Sequence, residues 1–184
     1  MKTDQECVMK KGVMTGCSKV NEKLLEPWFE HYTKHNAFPI TFCDFGMSDT
    51  ARTFCINRGT LLQATGKPFV LPLSPYEETV WTDINCQINE SLIPLFEMAH
   101  VKDGFAISYS KQNTPQSGVM AFIKNSPIIL NWHAWCIKNK EVPDDKTLEL
   151  LLKEHQFQIT QFSEKYYWNS PQKAPAHIAI TLVN

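Results

Sequence analysis

Segments typical of buried strands alternate with an amphipathic helical pattern, and this alternation most constrains how the chain can fold. Residues 12–17, 38–43 and 80–86 are short apolar runs with β-branched or aromatic side chains, as in strands buried on both faces. Residues 24–32 instead place leucines and aromatic side chains at helical spacing, which predicts a helix packed on a sheet. This alternation predicts a single α/β domain over residues 1–184, with a mostly parallel mixed sheet flanked by helices.

Turn and capping residues set the expected ends of these elements. Ser18 is predicted to cap the first long helix, and Ser48 a short helix after the second strand, since a serine hydroxyl accepts a hydrogen bond from the first turn. Gly59 is predicted to end that short helix in a left-handed conformation. Asp144 or Asp145 is predicted to cap a later helix.

The charge and the cysteines limit the classes of function. The 184 residues include 18 basic and 19 acidic side chains, well mixed, with a net charge of -1, so electrostatics gives no case for nucleic-acid binding. No apolar run approaches the roughly 20 residues that cross a bilayer, and residues 1–11 lack the apolar core of a signal peptide. A cytoplasmic location is therefore expected. The six cysteines are far apart and lack zinc-finger spacing, which predicts reduced, structural thiols.

The tip of the predicted strand at residues 80–86 carries the candidate ligands. Asp83 and Asn85 lie two residues apart, so on an extended chain they point to the same side. Open α/β sheets bind ligands at the carboxyl ends of their strands. Carboxylate and amide oxygens suit a hard divalent cation that carries a diphosphate. The alternative is a plain strand-to-turn junction, where Asp and Asn are favoured for their own backbone hydrogen bonds.

Several short motifs follow one another along the chain, at residues 13–17, 28–29 with 35–36, 44–48, 74–76 leading into 80–86, 117–122, 125–127, 144–145 and 167–169. Their order resembles that of small bacterial glycosyltransferases of the A-type fold, the glycogenin- and galactosyltransferase-like group that uses nucleotide-diphospho-sugars. The resemblance covers residues 12–168.

This resemblance implies a reaction and a cofactor. The family motif Asp-x-Asp would correspond to Asp83 and Asn85, which would hold Mn²⁺ or Mg²⁺ against the diphosphate of a nucleotide sugar. Asp144 or Asp145 would lie where the family keeps a residue facing the donor sugar. The implied reaction is transfer of a glycosyl group from a nucleoside diphosphate to a hydroxyl acceptor.

The resemblance also implies a nucleotide pocket beside the first two strands and a sugar or acceptor side near Ser117 and Gly118. Without the resemblance, Asp44 is interpreted as a turn residue and the Asp144–Asp145 pair as a helix cap. The residues expected to line the nucleotide pocket are Thr15, Gly16, Cys17 and Asp44.

Two departures from the family pattern lead to an alternative function. Asn85 removes one negative charge from the motif, which lowers its affinity for a metal ion. The family often places a metal-binding histidine after the last strand, where this chain has Thr181, whereas His177 precedes that strand. The alternative hypothesis is a catalytically impaired or inactive member of the fold that serves as a nucleotide-sugar-binding or interaction module.

Overall fold

The computed structural model describes residues 9–110, 112–163, 165–167 and 179–182. The strands are β1 (Met9–Cys17), β2 (Ile40–Asp44), β3 (Thr60–Gln63), β4 (Tyr76–Thr82), β5 (Cys86–Ile88), β6 (Phe105–Tyr109), β7 (Pro115–Ile123), β8 (Thr160–Phe162) and β9 (Ile180–Leu182). The helices are α1 (Leu25–His35), α2 (Asp49–Ile56), α3 (Lys67–Val70), α4 (Ile93–Met98), α5 (Pro127–Lys138) and α6 (Asp144–Glu154).

The main sheet has seven strands in the order β3-β2-β1-β4-β7-β6-β8. Strands β1, β2, β3 and β4 run parallel, and β8 runs parallel to β6, whereas β7 is antiparallel to both of its neighbours. Because β7 runs against β4, the start of β7 lies beside the end of β4, with Thr82 opposite Val119. The prediction of a mostly parallel mixed sheet flanked by helices is confirmed.

Each face of the sheet packs against its own apolar layer. On one face Trp28 and Tyr32 of α1 join Val80 of the central strand β4. On the other face Trp81 packs with Trp132 of α5 and with residues of α6. Since neighbouring residues of a strand point to opposite faces, β4 contributes to both layers, and this burial fixes the sheet between its helices.

The predicted strand at residues 80–86 is in fact two strands. Strand β4 ends at Thr82, and the chain turns through residues 83–85 before β5 begins. The Asp83 N–H donates to the Gly118 carbonyl at 2.8 Å, and the Cys86 N–H donates to the Asp83 carbonyl at 3.0 Å. Strand β5 then leaves the main sheet and pairs with β9, where Gln87 lies opposite Thr181.

The capping predictions had different outcomes. Ser48 caps α2 as predicted, because its Oγ accepts the Ala51 N–H at 3.2 Å. Ser18 does not cap the first helix, since the residue before α1 is Leu24 and a short 3₁₀ turn at Glu22–Leu24 precedes it.

Two further predictions about helix ends were wrong. Gly59 has no positive φ and so is not a left-handed terminator. The N-cap of α6 is Pro143, so Asp144 and Asp145 lie inside the first turn and neither caps the helix through its side chain.

The cysteines of the described residues lie in the interior of the fold. Every cysteine within the described residues is free and buried, as predicted, and Cys7 lies outside those residues. Among the described residues, no helix combines the length and the apolar character needed to span a bilayer.

Candidate functional site

Polar side chains from separate elements meet at the edge of the sheet where β4 ends and β7 begins. Asp83 follows β4, Ser117 lies near the start of β7, and Lys67 is the first residue of α3. Asp144 and Asp145 open α6. We call these five residues the edge cluster. The carboxyl end of β4 is also where an open α/β sheet is expected to bind a ligand.

Lys67 connects the members of the edge cluster. Its Nζ lies 2.8 Å from Asp83 Oδ1 and donates to both Oγ and the backbone carbonyl of Ser117, each at 3.0 Å. The same Nζ lies 5.4 Å from the centre of the Trp81 ring. These contacts tie the start of α3 to the ends of two neighbouring strands.

Asp83 is held through one of its two carboxylate oxygens. Oδ1 accepts the Trp81 indole N–H at 2.7 Å and forms an ion pair with the Lys67 ammonium. The side chain is 33% exposed. The carboxylate therefore lies against the layer of Trp81, with part of its surface open to solvent.

The two acids of α6 lie in different surroundings. Ser117 Oγ donates a hydrogen bond to the exposed Asp145 carboxylate. Asp144 is half-buried: burial raises the pKa of its carboxyl group, a hydrogen bond with Cys136 lowers it, and the neighbouring charge of Asp145 raises it again. Since the net pKa is raised, Asp144 holds a proton more readily than an ordinary aspartate. Paired acids in unlike surroundings can divide acid and base roles between them.

Tyr167 covers the edge cluster from another side. A Cβ placed on Gly118 would lie 2.5 Å from the Tyr167 hydroxyl oxygen and 3.5 Å from Asp83 Oδ2. The Tyr167 hydroxyl also makes a hydrogen bond with Cys86. Only a glycine at position 118 therefore allows Tyr167 to approach this edge, and the neighbouring Trp168 and Asn169 lie outside the described residues.

The structure buries the residues that were predicted to line a nucleotide pocket on β1. Thr15 is fully buried, and its Oγ1 has no hydrogen-bond partner among the described residues. The Phe45 ring covers Gly16, since a Cβ there would lie 2.5 Å from it. Burial raises the pKa of the Cys17 thiol to about 12. Their role in binding a nucleotide stays a prediction, and at Gly16 it requires the Phe45 ring to move aside.

Asp44 serves the turn that follows β2. Its carboxylate accepts the backbone N–H groups of Gly46 at 2.8 Å and Met47 at 2.6 Å, and Arg52 Nε at 2.7 Å. The observed contacts match the interpretation as a turn residue, and its role in binding a nucleotide remains a prediction.

Asp83 and Asn85 have different neighbours in the structure. Asn85 lines a shallow hollow with Trp28 and His31 of α1, on the side of the sheet opposite the Trp81 layer that holds Asp83. The Asn85 Oδ1 is buried without a hydrogen-bond partner in the described part of the chain. The turn at residues 83–85 ends the regular strand on which the two side chains would have pointed the same way.

These residues do not fit the divalent ion that the resemblance implies. Asp83 Oδ1 is already paired with the Lys67 ammonium, and Asn85 lines the hollow beside α1. Within residues 9–110, 112–163, 165–167 and 179–182, no three His, Cys, Asp or Glu side chains are grouped so that they could hold a metal ion. Thr181, which stands where the family often has a histidine, accepts a hydrogen bond from Asn89 at 3.4 Å.

Lys67 was not predicted from the sequence to belong to the site. It is a single basic residue in the segment between residues 65 and 78, which contains a glycine and three prolines. Its partners, Asp83 and Ser117, lie 16 and 50 residues further along the chain. The one available signal was a lone lysine among apolar neighbours, which predicts a buried amine that needs a carboxylate partner.

Comparison with known proteins supports the fold. No protein-family model and no curated protein matches the sequence. The solved structure of galactosyltransferase LgtC in complex with donor and acceptor sugar analogues superposes with a TM-score of 0.65 at 12% identity, covering 94% of this chain and 86% of LgtC. The apo form of the glycosyltransferase GlyE of Streptococcus pneumoniae TIGR4 gives a TM-score of 0.70 at 15% identity, covering 95% of this chain and 54% of GlyE.

A further match is the apo structure of the bifunctional glycosyltransferase WbbM, with a TM-score of 0.60 at 12% identity over 86% of this chain and 40% of WbbM. The chain therefore has the A-type glycosyltransferase fold that the resemblance predicted. It spans about half the length of GlyE and less than half of WbbM.

Proposed function

We propose that this protein transfers a glycosyl group from a nucleoside-diphosphate sugar to a hydroxyl acceptor, with the edge cluster as its site. The observation that carries the proposal is the meeting of Asp83, Lys67, Ser117 and Asp145 at the carboxyl end of β4. Ligands of open α/β sheets bind at this edge. The fold shared with LgtC and GlyE supports the same reaction class.

In the proposed reaction the protein mainly positions the two substrates and stabilises the charges that develop. The bond between the anomeric carbon and the diphosphate oxygen breaks, and its electron pair leaves with the diphosphate. The acceptor oxygen bonds to that carbon and loses its proton to a carboxylate or to the departing diphosphate. Positive charge develops on the sugar ring in the transition state.

Asp145 is the carboxylate best placed to stabilise that charge. It is exposed at the start of α6, and the Ser117 hydroxyl orients it. A fixed carboxylate beside a developing cation stabilises the transition state without having to reorganise. Asp144, with its raised pKa, is the neighbouring acid that can carry a proton. We therefore assign Asp145 to the sugar ring and Asp144 to proton transfer.

The test is a panel of nucleoside-diphosphate sugars incubated with the protein, with and without small hydroxyl acceptors, while release of the free nucleoside diphosphate is measured. Parallel reactions contain EDTA, Mn²⁺ or Mg²⁺. Asp145→Asn is expected to lower the rate by about 100-fold. The matched control is Asp49→Asn, which changes a 99% exposed carboxylate on α2 and should leave the rate unchanged. Failure of every donor to react or bind would overturn the proposal.

One observation favours the second candidate, a binding module that does not turn over its ligand. The Tyr167 hydroxyl lies against Gly118, and Lys67 lies against Asp83, so protein groups occupy part of the space in front of that acid. A module of this kind would be stabilised against heat by a nucleotide sugar but would release no nucleoside diphosphate. The same panel, read by thermal melting beside product release, distinguishes the two functions.

A further inference from the structure

Lys67 is held in a way that differs from a surface lysine. Its side chain is only 16% exposed, although it begins the short helix α3. A lysine ammonium has three N–H donors and no acceptor. The Lys67 ammonium donates hydrogen bonds to Ser117 Oγ and to the Ser117 carbonyl, and it forms an ion pair with Asp83 Oδ1. The polar partners that this largely buried cation has among the described residues therefore lie within the edge cluster.

The same geometry fixes the direction of the hydrogen bond at Ser117. Because the ammonium can only donate, Ser117 Oγ accepts from Lys67 and directs its own proton to the Asp145 carboxylate. Lys67 thus holds one carboxylate directly and a second one through a hydroxyl. A single positive charge orients Asp83 and Asp145 together.

Bridging oxygen atoms from separate elements is a task that divalent ions commonly perform in proteins. At Asp83 the Lys67 ammonium occupies the place that such an ion would take, since Oδ1 contacts both this ammonium and the Trp81 indole N–H. A divalent ion on the remaining oxygen would lie close to the ammonium, and like charges at that range repel. Asn85, the second predicted ligand, lines the hollow beside α1 instead.

We propose that Lys67 is a built-in counter-ion that takes the place of a divalent metal ion at Asp83, so that the edge cluster works without Mn²⁺ or Mg²⁺. This inference rests on the proposed function for its meaning, because it names what supplies positive charge at the same site. Its test measures protein stability without any donor, so the inference and the proposed function can fail separately.

The test compares wild type with Lys67→Met after EDTA treatment and dialysis. Melting temperature is measured with and without millimolar MnCl₂ or MgCl₂. Wild type should show no metal-dependent shift. Lys67→Met should melt at a lower temperature without metal, since it leaves Asp83 without its cation, and should regain several degrees when Mn²⁺ is added. Adding Asp83→Asn to Lys67→Met should abolish that gain.

The matched control is Lys146→Met, which removes an exposed lysine of α6 paired with Glu149 and should create no response to metal. Stabilisation of wild type by Mn²⁺ that Asp83→Asn removes would overturn the inference, and this arm needs no folded Lys67 variant. A folded Lys67→Met protein that ignores Mn²⁺ would also overturn it. Lys67→Gln takes its place if Lys67→Met does not fold.

Release of nucleoside diphosphate from the donor in the presence of EDTA distinguishes the two proposals. Release that persists in EDTA and does not rise with Mn²⁺ supports both of them. Release that requires Mn²⁺ overturns the built-in counter-ion and leaves the transferase standing. Absence of release in every condition counts against the transferase, while the melting experiment still decides the role of Lys67.

Discussion

The Asp44 carboxylate shows at the scale of one residue how a turn is fixed by a buried charge. Its side chain is 3% exposed and accepts hydrogen bonds from two backbone N–H groups and from Arg52. Burial alone would raise the pKa of Asp44, but the bonds from Arg52, Met47 and Gly46 bring it below its ordinary value. The folded protein therefore favours the charged form.

Asp44→Asn is expected to destabilise the protein by about 1.5–3 kcal/mol, the usual contribution of hydrogen bonds to a charged group. Urea unfolding at neutral pH measures this change. Asp49→Asn is the matched control, since Asp49 pairs with the same Arg52 but is 99% exposed, and an exposed pair contributes little. Equal effects of the two substitutions would show that burial of Asp44 does not matter.

The effect of Asp44→Asn should depend on pH. Because the folded-state pKa of Asp44 lies below its ordinary value of 3.8, its stabilising effect is fully present above that pH. The effect is lost as the pH falls through the lower folded-state pKa. The difference in unfolding free energy between wild type and Asp44→Asn should therefore shrink only below about pH 4. Urea unfolding at several pH values between 3 and 7 tests this.

Residues whose partners are close in sequence were predictable, and those with distant partners were not. Ser48 was identified as a cap because its partner, Ala51, is three residues away. Lys67 was not identified, because Ser117 lies 50 residues further on and only the folded sheet brings them together. Asp144 and Asp145 were placed at a helix start, but Pro143 occupies the N-cap position.

At the scale of elements, the division between β4 and β5 depends on pairing that the local sequence does not encode. Residues 80–86 form one apolar run, which satisfies the pattern of a single buried strand. The run breaks because the Asp83 N–H bonds to Gly118 of β7 while Cys86 starts pairing with Leu182 of β9. Both partners are distant in sequence, so the apolar pattern placed the strand correctly and missed its end.

The junction between α2 and β3 gives a test at this scale. Gly59 approaches β2 so closely that a Cβ would lie 2.4 Å from the Ile40 carbonyl oxygen. A backbone atom cannot turn aside as a side chain can, so Gly59→Ala should destabilise the protein by about 1–3 kcal/mol, as overpacking usually does. Urea unfolding measures the change.

Asn57→Ala is the control for Gly59→Ala, because it alters an exposed residue at the end of the same helix. It should change the free energy of unfolding by less than about 0.5 kcal/mol. If Gly59→Ala proved equally mild, the close approach of this junction to β2 would not be a constraint on the fold.

At the scale of the whole molecule, the sheet separates two apolar layers that share the strands between them. Trp81 points into one layer and its neighbours Val80 and Thr82 point the other way, where Trp28 Nε1 donates to Thr82 Oγ1 at 3.1 Å. A strand that contributes to both layers cannot leave one without disturbing the other. The two layers should therefore unfold together, as in most single domains of this size.

The buried thiols report on both layers and so test this cooperativity. We call the apolar layer that contains Trp28 of α1 the α1 layer and the layer that contains Trp81 and Trp132 of α5 the α5 layer. The α1 layer contains Cys17, Cys55 and Cys86, and the α5 layer contains Cys43 and Cys136. Burial raises the pKa of each thiol, and the thiolate is the reactive form.

In a Cys7→Ser variant, which removes the thiol outside the described residues, Ellman's reagent at pH 8 should react slowly with the native protein. Across the urea transition, the thiols of both layers should become reactive over one concentration range that coincides with the loss of tryptophan fluorescence. Mass spectrometry of the labelled peptides identifies which cysteines react first. Early labelling of only the α1-layer thiols, or only the α5-layer thiols, would show that one layer opens independently, and the shared strands would then not couple them.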